Sequence, residues 1–170
     1  MKLSTYYDKK IFDNQKLLIS TIIIVALIIR IPIIHFLGDD HLQNEWLILV
    51  SNLTNHGEFA FRSFGDFYVP NLYMPPLYPW FLYIFKLIGL NNENYVNLIL
   101  YLQAVLASIS LVTFYLICKK FFPVKLSILL TTLLCFFPSY LYACSQISSI
   151  TLYIFLIILF LYFLINVSKE

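Results

Sequence analysis

Hydrophobic and polar residues fall in long blocks along the chain, and the apolar blocks are long enough to predict membrane helices. Four of them, at 17–37, 96–118, 124–142 and 148–167, approach or exceed 20 residues, about the length needed for a helix to cross roughly 30 Å of hydrocarbon. A shorter block at 77–90 predicts a short membrane helix. The pattern predicts an all-α, multi-pass membrane protein with four full transmembrane helices and one short or re-entrant helix.

The two main polar segments predict the two sides of the membrane. Residues 1–16 are rich in lysine and form a predicted cytoplasmic N-terminal segment, because positive residues remain inside. Residues 38–76 form a predicted external loop that is rich in acidic side chains. Within it, apolar residues recur on one helical face and predict an amphipathic helix over 41–55 that lies in the membrane interface. These residues are Leu42, Trp46, Leu49, Val50 and Leu53.

The number of spans depends on the block at 77–90. If this block crosses the membrane, the chain has five spans, and Lys119, Lys120 and Lys125 fall outside, against the positive-inside rule. If it is interfacial or re-entrant, the chain has four spans and these lysines fall inside. We favour four spans, with five as the alternative.

Composition excludes several classes of protein. The chain is 61% hydrophobic and only 12% charged, whereas soluble proteins carry about 25% charged residues. A soluble enzyme and a nucleic-acid binder are therefore excluded, and the lipid bilayer is the expected partner. Cys118, Cys135 and Cys144 have no paired spacing and indicate neither a disulfide framework nor a metal site.

The external loop is the one region where ionisable groups converge, but each group also has a structural interpretation. Asp40 fits a helix N-cap, Glu45 a solvated charge, and Gly57 a helix stop. Pro75, Pro76 and Pro79 are typical of a loop end that leads into a helix. Arg30 is interpreted as snorkelling from the end of its span to the headgroups, with a lipid-phosphate contact as the alternative.

The order of these features resembles the N-terminal part of the GT-C superfamily of integral-membrane glycosyltransferases, including the dolichyl-phosphate-mannose-protein mannosyltransferases. An anchor helix with an arginine is followed by an acidic loop, an amphipathic helix and a proline-rich entry to the next helix. The matching elements are Arg30, Trp46 to Asn52-Leu53, Gly57-Glu58-Phe59, Pro75-Pro76-Leu77-Tyr78-Pro79, Gln103 to Ser108, Lys119 to Phe122, Pro138 and Ser145 to Ser149.

The resemblance implies transfer of a sugar from a polyprenyl-phosphate donor to an acceptor hydroxyl, with inversion. An acidic residue of the loop would be the general base, and Asp39, Asp40 and Glu45 are the candidates. The chain has Leu42 at the position where many family members carry the key acid, so the choice among the three stays open.

The other implied roles concern the substrates. Arg30 would bind the lipid phosphate, while Tyr73 and Tyr78 would line the acceptor site. A divalent metal is a further implied cofactor, for which Asp39 and Asp40 with His41 are the candidate ligands.

The leading hypothesis is an N-terminal module of a membrane glycosyltransferase in the inner membrane of a bacterium. Family members are usually longer, so a separately encoded C-terminal half is an expected partner, and the chain is expected to be a truncated fragment or split-gene remnant that can be inactive alone. The alternative is a non-catalytic membrane scaffold or accessory subunit whose acidic loop contacts a partner.

Overall fold

The computed structural model describes residues 2–42, 44–64, 67–70 and 74–167. This part of the chain contains seven helices and one two-stranded sheet. In chain order the elements are α1 (Lys2–Leu37), α2 (Asn44–His56), β1 (Ala60–Phe64), β2 (Phe67–Pro70), α3 (Leu77–Lys86), α4 (Asn92–Phe121), α5 (Val124–Cys135), α6 (Pro138–Ala143) and α7 (Ile150–Val167).

Three of the described helices are long and apolar enough to cross a membrane: α1 from Gln15 to Leu37, α4 and α7. α4 is the central helix, packed against both α1 and α7. Its interior face is lined mostly by small or apolar residues such as Ala104, Ala107 and Leu111, which are at most 1% exposed. The outer faces of α1 and α7 are apolar and exposed, as expected of surfaces that contact lipid.

Contacts at the helix ends define the direction in which each helix runs. Lys119 Nζ donates to Gln15 Oε1 at 3.0 Å, and Lys120 hydrogen-bonds Asn166. The last turn of α4 therefore lies beside the start of the apolar part of α1 and beside the end of α7. We call this the basic end of the bundle. At the opposite end, which we call the acidic end, the Asp39 amide donates to the Ser145 carbonyl at 3.1 Å.

The short helix α3 remains at the acidic end. Tyr78, in its first turn, hydrogen-bonds Gln103 of α4 at 2.9 Å, and Lys86, its last residue, hydrogen-bonds Asn92 at the start of α4 at 2.8 Å. At about 1.5 Å per residue, its 10 residues cover only about 15 Å. α3 therefore does not connect the two ends of the bundle.

The predicted continuous helix over 124–142 is wrong, because this stretch forms two helices. α5 ends at Cys135, and α6 begins at Pro138 after a break at Phe136 and Phe137. Proline has no amide hydrogen and its ring disfavours a helical residue before it, which favours an end of α5 before Pro138. Together, α5 and α6 lead from the basic end to the residues beside Asp39 at the acidic end.

The loop at 38–76 contains a β-hairpin that was not predicted from the sequence. β1 and β2 are antiparallel, with Ser63 opposite Tyr68. The hairpin is attached to α2, because Asn52 Nδ2 donates to the Ala60 carbonyl at 2.7 Å. Its strands have five and four residues, and such short strands carry too little alternation to be recognised from sequence.

The amphipathic helix of the loop begins at Asn44 rather than at residue 41, so Asp40 lies four residues before it and is not its N-cap. The helix is followed by Gly57, which has a φ of +72° and donates its amide to the Leu53 carbonyl. Its apolar stripe, Leu49, Val50 and Leu53, is at most 3% exposed. The stripe packs on the protein, chiefly on α3 and β1, and does not form a lipid-facing surface.

Candidate functional site

Gln103 joins three parts of the acidic end through its buried side-chain amide. Tyr78 Oη donates to Gln103 Oε1 at 2.9 Å, and Gln103 Nε2 donates to the Gln146 carbonyl at 2.8 Å. Tyr78 also contacts Trp46 of α2 edge to face, with ring centroids 4.9 Å apart. Gln103 thus connects α4 to α3 and, through Tyr78, to α2. It also connects α4 to residues 144–149, which we call the 144–149 turn.

The end of α1 is held on the 144–149 turn by three hydrogen bonds. Asp39 Oδ2 accepts from the Ile147 amide at 2.7 Å, the Asp39 amide donates to Ser145 O at 3.1 Å, and Gln146 Nε2 donates to Leu37 O at 2.8 Å. A β-carbon on Gly38 would lie 2.2 Å from Ile34 O, so the chain turns here more tightly than a larger residue permits. The position of Asp39 is therefore fixed by its hydrogen bonds to the 144–149 turn and by the tight turn at Gly38 before it.

A cleft of about 590 Å³ opens between the end of α1 and the first turns of α4. Three carboxylates line it: Asp39, Asp40 and Glu93. Its other polar walls are formed by His35, Asn97 and Tyr101. We call it the acidic cleft. Sequence analysis missed Glu93, because an acid in the first turn of a helix is ordinarily explained by the helix dipole.

The structure separates the three acids that the sequence offered as general bases. Asp40 lines the acidic cleft, is exposed, and has no hydrogen-bond partner among the described residues. Asp39 lines the same cleft, but one of its carboxylate oxygens accepts the Ile147 amide. Glu45 is exposed in the first turn of α2 and is not part of the cleft wall.

The residues offered as metal ligands do not converge. Asp39 and Asp40 line the acidic cleft, whereas His41 lines a different groove between α2 and α4. Among the described residues, no group of three or more His, Cys, Asp or Glu side chains is arranged to hold a metal ion. These side chains do not fit a resident metal with three protein ligands.

Of the two tyrosines predicted to line the acceptor site, only Tyr78 lies among the described residues. Tyr73 lies outside the described residues. Tyr78 is fully buried. It lines neither the acidic cleft nor the groove between α2 and α4 that contains His41. Burial, with smaller contributions from Tyr95 and Asp39, raises the pKa of Tyr78 well above its usual range, so its hydroxyl remains a neutral donor to Gln103. In this structure Tyr78 is a packing residue.

The proline motif lies at the entry to α3. Pro75 and Pro76 are exposed, and α3 begins at Leu77 directly after them. Pro79 is buried in the first turn of the helix, where its missing amide hydrogen costs no intrahelical bond.

Arg30 is buried within the bundle, so the prediction that it snorkels to the headgroups is wrong. Its side chain is 0% exposed and lies seven residues, about 10 Å of helix, before Leu37. Nη1 donates to Ala26 O at 3.3 Å and contacts Cys135 Sγ at 3.8 Å, and the guanidinium lies 5.2 Å from the centre of the Tyr140 ring. Within the described part of the chain, Nε and Nη2 have no hydrogen-bond partner.

Replacing Arg30 with methionine is expected to leave the stability unchanged or to raise it by up to about 4 kcal/mol. The substitution removes a buried charge that has no carboxylate partner among the described residues, so no opposite charge is left unpaired. Thermal unfolding of the purified chain in detergent measures the change, with Arg30→Lys as the control that keeps the charge. A loss of more than about 2 kcal/mol in Arg30→Met would show that the contacts of the guanidinium outweigh its desolvation.

No protein-family model, no curated protein and no solved structure matches the chain.

Proposed function

We propose that the chain is the N-terminal module of a GT-C-like membrane glycosyltransferase that moves a sugar from a polyprenyl-phosphate donor to an acceptor hydroxyl at the acidic cleft. The observation that carries the proposal is the pair of neighbouring carboxylates in that cleft, one held and one free. Asp39 is fixed on the Ile147 amide, while Asp40 is exposed and has no partner among the described residues. The order of motifs that resembles the family supports the same function.

Asp40 acts as the general base in this mechanism. Its carboxylate accepts the proton of the acceptor hydroxyl as the oxygen attacks the anomeric carbon of the sugar. The bond between that carbon and the phosphate oxygen breaks, and the polyprenyl phosphate leaves with the electron pair.

Four crossings of the inner membrane are part of the proposal. α1, α4 and α7 are the continuous crossings, and α5 with α6 forms the fourth, interrupted at Phe136 and Phe137. The N-terminus and the basic end are cytoplasmic, because Lys119, Lys120 and Lys125 gather there. The acidic cleft then faces outward, and α3 lies on the outer side.

Cysteine labelling tests this topology. In a variant with Cys118, Cys135 and Cys144 replaced by alanine, a cysteine at Lys120 is expected to react with a membrane-impermeant maleimide only after the cells are opened. A cysteine at Glu58 in the external loop is the matched control and is expected to react in intact cells, since Glu58 is exposed. Labelling of the Lys120 position from outside would contradict the four-crossing arrangement.

A transfer assay on native membranes tests the activity. Membranes that contain the chain are expected to convert a radiolabelled polyprenyl-phosphate sugar into a labelled acceptor and free polyprenyl phosphate. Membranes from cells that lack the gene are the control. Equal conversion by the two preparations would contradict the proposed activity.

The second candidate function is a non-catalytic membrane scaffold. The observation that favours it is the use of Asp39 as a structural link, since its carboxylate and amide both bond to the 144–149 turn. On this alternative the acidic loop is a rigid surface that contacts a partner protein. Sugar transfer that is equally fast in membranes with and without the chain would support the scaffold.

A further inference from the structure

A second cavity of about 410 Å³ lies on the other side of the first turn of α4, between this turn, α2 and the end of α3. Asn92 lines this cavity, while the next residue, Glu93, lines the acidic cleft. The cavity has apolar walls from Leu42, Leu47 and Val96. It also contains a lysine, Lys86, and none of its described lining residues is a carboxylate. We call it the Lys86 groove.

The ammonium group of Lys86 is held in the groove by Asn92 and Tyr95. Nζ donates to Asn92 Oδ1 at 2.8 Å and lies 4.9 Å from the centre of the Tyr95 ring. No carboxylate pairs with it among the described residues. An ammonium carries three donors, and these two contacts leave at least one donor for a ligand. The positive charge of Lys86 and its unused N–H donor both favour a ligand with an anionic oxygen.

The surroundings of the groove favour a ligand with hydrocarbon chains. Ile84, Leu87 and Ile88, beside Lys86 in sequence, are 58–62% exposed. Ile84 lies on α3, and Leu87 and Ile88 follow its last residue directly, so all three expose apolar surface beside Lys86 in the chain. An exposed apolar surface of this kind in a membrane protein contacts lipid tails. Leu47, on the α2 side of the groove, is also half exposed.

We propose that the Lys86 groove binds a bilayer phospholipid with an anionic headgroup, its phosphate on Lys86 and its acyl chains along the exposed face of α3. No carboxylate among the described residues lines the groove, so a phosphate beside Lys86 meets no opposing negative charge there. The bound lipid fixes α2 and α3 against α4 at the membrane surface. This role does not depend on sugar transfer.

Native mass spectrometry of the full chain in a neutral detergent tests the proposal. The chain is titrated with phosphatidylglycerol, with phosphatidylcholine of the same acyl chains, and with glycerol 3-phosphate as the headgroup without chains. We expect phosphatidylglycerol to bind about tenfold more tightly than phosphatidylcholine, because the choline cation of the latter cancels the net negative charge of its headgroup. We expect a similar difference, about tenfold, from glycerol 3-phosphate, which lacks the acyl chains. Lys86→Gln is expected to remove the preference over phosphatidylcholine, and Lys86→Arg to retain it.

Lys125→Gln is the matched control, because Lys125 is an exposed lysine at the basic end, away from the groove. It is expected to leave phosphatidylglycerol binding unchanged. Equal binding of the two phospholipids by the wild-type chain, or an unchanged preference in Lys86→Gln, would overturn the proposal. Glycerol 3-phosphate that binds as tightly as phosphatidylglycerol would also overturn it, because the ligand would then be a soluble phosphate.

Discussion

Replacing Asp40 with asparagine is expected to lower the rate of sugar transfer by about 10²–10⁴-fold, the usual contribution of a general base. An amide cannot accept the proton of the acceptor hydroxyl, yet it has nearly the same size as the carboxylate. Because Asp40 is exposed and makes no hydrogen bond within the described part of the chain, the substitution leaves the fold intact. The rate is measured with native membranes in which the variant replaces the wild-type chain.

Glu45→Gln is the matched control for Asp40→Asn. It also removes one exposed carboxylate from the loop, but Glu45 does not line the acidic cleft. We expect transfer by Glu45→Gln to remain within about twofold of wild type, an effect below 0.5 kcal/mol. A fully active Asp40→Asn, or an inactive Glu45→Gln, would contradict the assignment of Asp40 as the base.

Replacing Gln103 with leucine is expected to lower the free energy of unfolding by about 3 kcal/mol. The substitution leaves the Tyr78 hydroxyl and the Gln146 carbonyl without their partner, and each unsatisfied buried group costs about 1–3 kcal/mol. Gln103 is 0% exposed, so water does not replace the lost amide without a rearrangement. Thermal unfolding in detergent, followed by circular dichroism, measures the change.

Two further variants separate the hydrogen bonds from a general effect of altering α4. Ser108→Ala also removes a buried polar group from this helix. Among the described residues the Ser108 hydroxyl bonds to the Ala104 carbonyl alone, one turn away, so a loss below about 1 kcal/mol is expected. Tyr78→Phe removes one partner of Gln103. In the double variant with Gln103→Leu, the two losses are expected not to add, because both remove the same bond. A Gln103→Leu chain as stable as Ser108→Ala would contradict the central role of Gln103.

Part of the candidate site could be predicted from the sequence. The acidic loop, the short helix after the proline pair and the polar turn near residue 147 are visible as polar positions between apolar blocks. Which of these side chains meet could not be predicted, because contacts across helices depend on how each helix is rotated and shifted against its neighbours. Glu93 is an example. It joins Asp39 and Asp40 only because the first turn of α4 packs beside the end of α1.

Arg30 and the 124–142 stretch also make contacts that could not be predicted from the sequence. Arginine near the end of an apolar helix ordinarily reaches the headgroups. Here the α5–α6 break at Pro138 brings Cys135 and Tyr140 against Arg30 and encloses its side chain. Pro138 is visible in the sequence, but the burial of Arg30 is not. The effect of a helix break on a distant residue depends on how the helices pack.

The sequence by itself determined that the chain is helical and apolar enough for membrane helices. It did so because the length of an apolar block and the scarcity of charge are local properties, set by the thickness and low dielectric of a bilayer. The tertiary structure alone decided that α3 stays at the acidic end, that Asp40 rather than Glu45 faces the cleft, and that Lys86 lines a separate groove. These are relations between side chains far apart in sequence, which form only when the helices pack with one register and rotation.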